Sequence, residues 1–200
     1  EHVLIDLNFL GINNVLALRG DARKFDGKFV PEKDGHPYAV DLVRQIKNMN
    51  QGKYLDENIE NASCSDFSIG VAGYPEKHFE APNMEKDLQY LKQKVDAGGD
   101  YIVTQMFFDN EAFLKFVKDC REIGIDVPII PGLKPLTRAY QINSIPRIFH
   151  VNIPQDLADE VEKHKDSREK IMQIGIEWSI AQCKELINAG VPVLHFYTMG

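Results

Sequence analysis

The stretch Asn14-Val15-Leu16-Ala17-Leu18-Arg19-Gly20-Asp21 decides how the rest of the chain is read. The short apolar run Asn14 to Leu18 reads as a buried strand and passes directly into a turn made of a guanidinium, a glycine and a carboxylate. The same order recurs downstream. Residues 67–72 form a second apolar run, ending in Gly73-Tyr74-Pro75-Glu76-Lys77-His78. A third run, 101–104, ends in Gln105-Met106-Phe107-Phe108-Asp109. A fourth, 127–130, is closed by Pro131-Gly132, and a fifth covers 193–197.

Segments of helical period lie around these runs. Residues 3–10 read as a helix stopped by Gly11. After Asp21, a polar loop carrying Gly27 and Pro31 leads to a helix over 38–49, with Leu42, Val43 and Ile46 on its inner face. Asn83 is a good N-cap for a helix whose Met84, Leu88, Leu91 and Val95 share one face and which ends at Gly98-Gly99. Asn110 is expected to cap the next helix, through Phe113, Phe116, Val117 and Cys120 to Gly124. Further helices are expected from about Arg138 and over 167–189, the latter stopped by Gly190.

Repeated strand-helix units call for a parallel sheet with helices packed on it, either an open doubly wound sheet or a barrel. Polar, potentially reactive residues follow four of the five strands: Arg19 and Asp21; Tyr74, Glu76 and His78; Gln105 and Asp109; Tyr197 and Thr198. An open sheet gathers its ligand contacts at one switch point, whereas a barrel draws its site from the carboxyl ends of several strands. The expected fold is therefore an α/β protein of the (β/α)8 TIM-barrel type. Eight units usually need ~250 residues. With five strands, residues 1–200 read as the later part of such a barrel, lacking roughly the first three strands and the last helix. Both ends look cut, at an opening helix and at Thr198-Met199-Gly200. No linker divides the chain, so a single domain is expected.

Charge and composition exclude several classes. Twenty-three basic residues stand against 30 acidic ones, interspersed, for a net charge of −7. That balance supplies no basic face for phosphate backbone, so nucleic acid is not an expected partner. No apolar run approaches the ~20 residues needed to span a bilayer, and nothing at the start reads as a leader. The three cysteines, Cys64, Cys120 and Cys183, are widely spaced and form no metal-ligand pattern. A cytoplasmic protein without a metal site or membrane contact is expected, with Cys120 and Cys183 as buried thiols within helices.

Each strand-end turn has a chemical and a plain reading. In Arg19-Gly20-Asp21, glycine permits close backbone approach, arginine can bind phosphate in two places and aspartate can accept from a ring N–H. A surface turn is the alternative. Tyr74-Pro75-Glu76-Lys77-His78 offers an aromatic platform and a titratable ring for a nucleotide, or is simply a rigid loop. Gln105 beside Phe107 and Phe108 suits a flat heteroaromatic ligand, although at least one ring is expected in the core, as are Met106 and Trp178. Of Lys86, Lys92 and Lys94, solvated on the polar side of their helix, one could reach a phosphate. Glycine-rich dinucleotide and P-loop signatures are absent.

Taken together, five stretches in order resemble the methylenetetrahydrofolate reductase family: NVLALRGD at 14–21, FSIGVAGYPEKH at 67–78, KVDAGGDYIVTQMFFD at 94–109, VPIIPGLKP at 127–135 and HFYT at 195–198. The resemblance implies a (β/α)8 barrel holding FAD at its strand ends without a Rossmann motif. It further implies NADH or NADPH as hydride donor and reduction of 5,10-methylenetetrahydrofolate to 5-methyltetrahydrofolate. It assigns flavin contacts to Arg19, Gly20, Asp21, Tyr38, Ala39, Tyr74, His78, Ala81, Asp87, Tyr90 and Lys94. Asp87 and Lys94 would serve ribose hydroxyl and phosphate. Asp21, Gln105 and Gln141 would hold folate, with Asp21 assisting its cationic intermediates. The family's general-acid glutamate and a folate-binding arginine have no counterpart in this stretch, so it is expected to be inactive by itself. A homo-oligomer is expected. The alternatives are a pterin-binding barrel methyltransferase without flavin and a non-catalytic barrel fragment.

Overall fold

The computed structural model describes residues 1–22, 29–56 and 58–198; Gly27, Met199 and Gly200 lie outside them. Helices and strands alternate: α1 (His2–Phe9), β1 (Asn14–Ala17), α2 (Ala39–Met49), β2 (Ser68–Gly73), α3 (Met84–Asp96), β3 (Tyr101–Met106) and α4 (Asn110–Glu122). Then come β4 (Ile129–Leu133), α5 (Gln141–Phe149), α6 (Gln155–Lys163), α7 (Arg168–Asn188) and β5 (His195–Phe196). The strands form one sheet in the order β1-β2-β3-β4-β5. Both the β1–β2 and the β4–β5 pairs are parallel. The expected parallel α/β class is observed. No described helix is long and apolar enough to cross a membrane.

Two compact units make up the chain, residues 1–72 with 89–102 and residues 73–88 with 103–200. In the first unit, α2 buries Val43, Ile46 and Met49 and exposes its charged side. Asn50, just past α2, ties the helix end to the sheet: its Nδ2 donates to Phe67 O at 2.8 Å, and its Oδ1 accepts from Phe67 N at 2.9 Å. Asp100 caps the incoming edge of β2 by accepting from Ile69 N at 2.8 Å. Gly70 has no side chain because the Tyr101 ring lies where a Cβ would be.

The second unit is built around Met106, Phe108, Leu136, Ile145, Val151, Leu157, Val161 and Ile171. Phe107 and Phe113 stack at 5.1 Å beneath α4. The rings of Phe107 and Phe108 are both buried, so that pair is packing and not a ligand platform. Met106 belongs to the same core, and Trp178 packs on it while donating Nε1–H to Phe108 O at 3.0 Å. Cys120 is buried and Cys183 half-buried, in α4 and α7.

Three expectations need correction. The first strand is not a buried one: Leu16 and Leu18 are 40% and 51% exposed, because β1 stands at one edge of the described sheet. Pro131-Gly132 does not close the fourth strand but lies inside β4. The register with β5 runs over Gly132 and Leu133, opposite His195 and Phe196, so Pro131 lies ahead of that ladder. The cap of α4 is Asp109, accepting from Glu111 N at 2.9 Å, with Asn110 already in the first turn. Asn83 does cap its helix, accepting from Lys86 N, and α7 is capped by Ser167, which accepts from Lys170 N.

Candidate functional site

In the first unit the residues of interest gather at the carboxyl edge of two paired strands. Ala17 of β1 lies opposite Val71 of β2. Arg19, Gly20 and Asp21 follow the first strand, and Gly20 and Asp21 are exposed. The Arg19 guanidinium sits 4.9 Å above the Phe29 ring, a cation–π contact that helps to orient it. At the end of the second strand, Lys94 reaches back from α3 to donate to Ala72 O at 2.5 Å. Register therefore brings two cations, Arg19 and Lys94, to one sheet edge. Lys92, by contrast, pairs with Asp96 on the helix surface. Tyr38 precedes α2 in an extended conformation and is 61% exposed; Ala39 is the first helical residue. Tyr90 is exposed on α3.

In the second unit, residues Tyr74 to Ala81 form a compact arch. The Tyr74 and His78 rings meet edge-on at 4.6 Å, His78 lies 4.7 Å from Phe79, and Phe79 stacks on His150 at 4.7 Å. Asp87, buried in the first turn of α3, accepts from His78 N at 2.9 Å. Its Oδ2 thus has a local task in holding the arch. Glu80 N donates to His78 Nδ1 at 3.2 Å, so the neutral ring carries its proton on Nε2. Ala81 is buried, with its N–H on His78 O at 3.0 Å. Glu76 braces the arch against the chain after α5 by accepting from Asn152 N at 2.5 Å. Burial pushes the Glu76 carboxyl above the usual glutamate value, the Asn152 bond partly opposes this, and the nearby Asp109 charge adds to it.

The two glutamines are fixed in orientation. Gln105 Oε1 accepts from Met106 N at 2.9 Å. Gln141 Oε1 accepts from Thr137 N at 2.7 Å and Arg138 N at 3.0 Å, closing the turn before α5. Backbone N–H groups only donate, so in both residues the atom that accepts these bonds is the amide oxygen, which fixes the orientation of each side-chain amide.

Two strand-end residues offered as reactive have local partners in the fold. Asp109 is a helix cap. Tyr197 donates its hydroxyl to Thr104 O at 2.8 Å, passing over Gly132, where a Cβ would collide with both groups; burial pushes its phenol up. One residue escaped the sequence reading. Lys134, directly after β4, is only 6% exposed, and its signal was a lysine in the VPIIPGLKP run exactly where a strand stops. No group of metal-ligating side chains occurs among the described residues.

Parallel strands ending in turns of ligand-competent side chains define an α/β protein of the kind that binds small molecules at strand carboxyl ends. Known sequences narrow this. The family model Methylenetetrahydrofolate reductase matches residues 1–200, and the chain belongs to that family. It is 40% identical over 208 residues to methylenetetrahydrofolate reductase (NADH) 1 of Zea mays, which covers 100% of this chain and 33% of that protein. It is also 38% identical over 189 residues to 5,10-methylenetetrahydrofolate reductase of Escherichia coli, covering 94% of the chain and 57% of the relative. The chain thus spans about a third of the plant relative's length. A solved structure of an uncharacterized protein from Clostridium thermocellum, which binds two copies of 5-methyl-5,6,7,8-tetrahydrofolic acid, aligns with 68% of this chain and 49% of its own. Its TM-score is 0.47 at 19% identity.

Proposed function

We propose that the protein to which this chain belongs reduces 5,10-methylenetetrahydrofolate to 5-methyltetrahydrofolate, using NADH or NADPH and a bound FAD, on a (β/α)8 barrel. Family membership across the whole chain is the observation that carries this reading. The consecutive strand order supports the barrel, because a doubly wound sheet reverses its order at a switch point.

The donor set suits the cofactor. Arg19 and Lys94 supply two cations at one sheet edge for a diphosphate, on a protein that is otherwise acidic. Tyr38, Ala39 and Tyr90 are the further contacts assigned to the first unit, and Tyr74, His78 and Ala81 those assigned to the second. Asp87 holds His78 through Oδ2, and its carboxylate is the acceptor assigned to a ribose hydroxyl. When bound, the flavin supplies the hydride chemistry, which no side chain can perform.

The protein's own part is binding, orientation and charge. The NH₂ groups of Gln105 and Gln141 would donate to acceptors on the folate pterin. Asp21, exposed after β1, would place negative charge beside the cation that forms as the folate ring opens. Asp21→Asn in the full-length protein is expected to retain flavin and to slow folate reduction at least about a hundredfold, in line with the loss of one electrostatic contact. NAD(P)H oxidation with a quinone acceptor should fall far less. Equal slowing of both half-reactions would contradict the role given to Asp21.

A further inference from the structure

The arch from Tyr74 to Ala81 contains a clamp that the flavin-contact assignments leave out. Lys77 occupies the left-handed region, with φ of 78°. That conformation is unfavourable for a residue with a Cβ and persists only where surrounding contacts hold it. Here the contacts come from its own side chain. The Lys77 ammonium, part-buried, donates to His78 O at 2.9 Å and to Ala81 O at 2.7 Å. Its N–H donates to Tyr74 O at 3.1 Å. One residue therefore joins the start, middle and end of the arch. Hydrogen bonds to a charged donor are about twice as strong as neutral ones.

The ammonium shares His78 O with the Ala81 N–H, while three further bonds fix atoms that it does not reach. Asp87 fixes the His78 N–H, Glu80 N fixes the imidazole Nδ1, and Glu76 ties the arch to Asn152. Without the ammonium, the carbonyls of His78 and Ala81 would lose their shared charged donor, and the strained φ at residue 77 would lose the two bonds that its own side chain supplies.

We propose that Lys77 is a positioning residue for the cofactor: its ammonium, bridging the carbonyls of His78 and Ala81, pre-shapes the arch that presents Tyr74, His78 and Ala81 to the flavin nucleotide. This rests on the flavin reading above. Pre-shaping a loop raises affinity by removing the ordering cost at binding. The effect should therefore appear in the cofactor-free protein and in the rate at which cofactor leaves.

The test uses full-length protein carrying Lys77→Met, which keeps the Cβ and the chain length but removes the charge, beside Lys77→Arg. Amide hydrogen exchange is followed in the flavin-free form, and flavin release by the fluorescence of the freed cofactor. In Lys77→Met, the amides of His78, Glu80 and Ala81 are expected to exchange about tenfold faster while those of α4 and α7 are unchanged, and flavin to leave about tenfold faster, the size expected for losing a pre-shaping contact. Lys77→Arg should recover most of both. Unchanged arch amides would overturn the proposal, as would faster exchange throughout α4 and α7, which marks a merely structural role. Faster flavin release with an unaltered arch would overturn it too. A wild-type protein that takes up no flavin at all would sink the function proposed above, while the exchange data would still judge the clamp.

Discussion

At the scale of single residues, Glu76 shows how a strand-end side chain can serve the fold instead of the chemistry. Its carboxyl is half-buried, and burial pushes it up. A folded-state value above the unfolded one means that the native protein holds the proton more tightly. The stability this contributes is complete below the ordinary glutamate range and is lost as pH rises through the raised value. Glu76→Gln keeps an oxygen to accept from Asn152 N and has no charge to bury. Its thermal midpoint is therefore expected to exceed that of wild type at pH 7 and to match it at about pH 4. A lower midpoint at neutral pH would mean that the carboxylate charge is itself stabilising. Sequence alone placed Glu76, His78 and Tyr74 on one turn, because proline and the end of an apolar run punctuate it clearly. It could not tell that Asp87 and Lys77 are spent on holding that turn, since both bonds depend on where the backbone doubles back.

Among the elements, the long periodic segments were legible and the short polar ones were not. The helices α3, α4 and α7 carry apolar residues at helical spacing and end at glycines, so their positions follow from the sequence. The helix α6 went unread, for its nine residues bury only Leu157 and Val161 in an otherwise charged segment. Its signals were modest: Pro154 at the N-cap and two apolar residues four apart. Packing between elements is also invisible to pattern. Gly175 in the middle of α7 looks like a weak point, as glycine costs a helix roughly 1 kcal/mol. In the structure its missing side chain lets α7 approach the segment after β4, where a Cβ would lie 2.0 Å from Leu136 O. The obstacle is backbone, which cannot swing aside. Gly175→Ala is thus expected to destabilise the protein by about 3 kcal/mol despite alanine's better helix propensity, measured by urea unfolding. A neutral or stabilising result would show that α7 can slide to make room.

For the molecule as a whole, five consecutive parallel strands with polar turns at their ends were enough to point to a fold and a family before any coordinates. The family match agrees. Chemistry is harder to read, because the chain spans about a third of the length of the plant relative. It carries a pair of cations at one sheet edge, a braced aromatic arch, and two glutamines fixed in orientation. The proposed reaction makes one demand that no flavin-free pterin enzyme shares. Full-length protein purified without added cofactor should show the visible absorbance of oxidised flavin. Under anaerobic conditions that absorbance should disappear on adding NADH or NADPH and return on adding 5,10-methylenetetrahydrofolate, with 5-methyltetrahydrofolate as the product. A colourless protein that takes up no FAD, or one whose absorbance disappears and is not restored by the folate, would contradict the account.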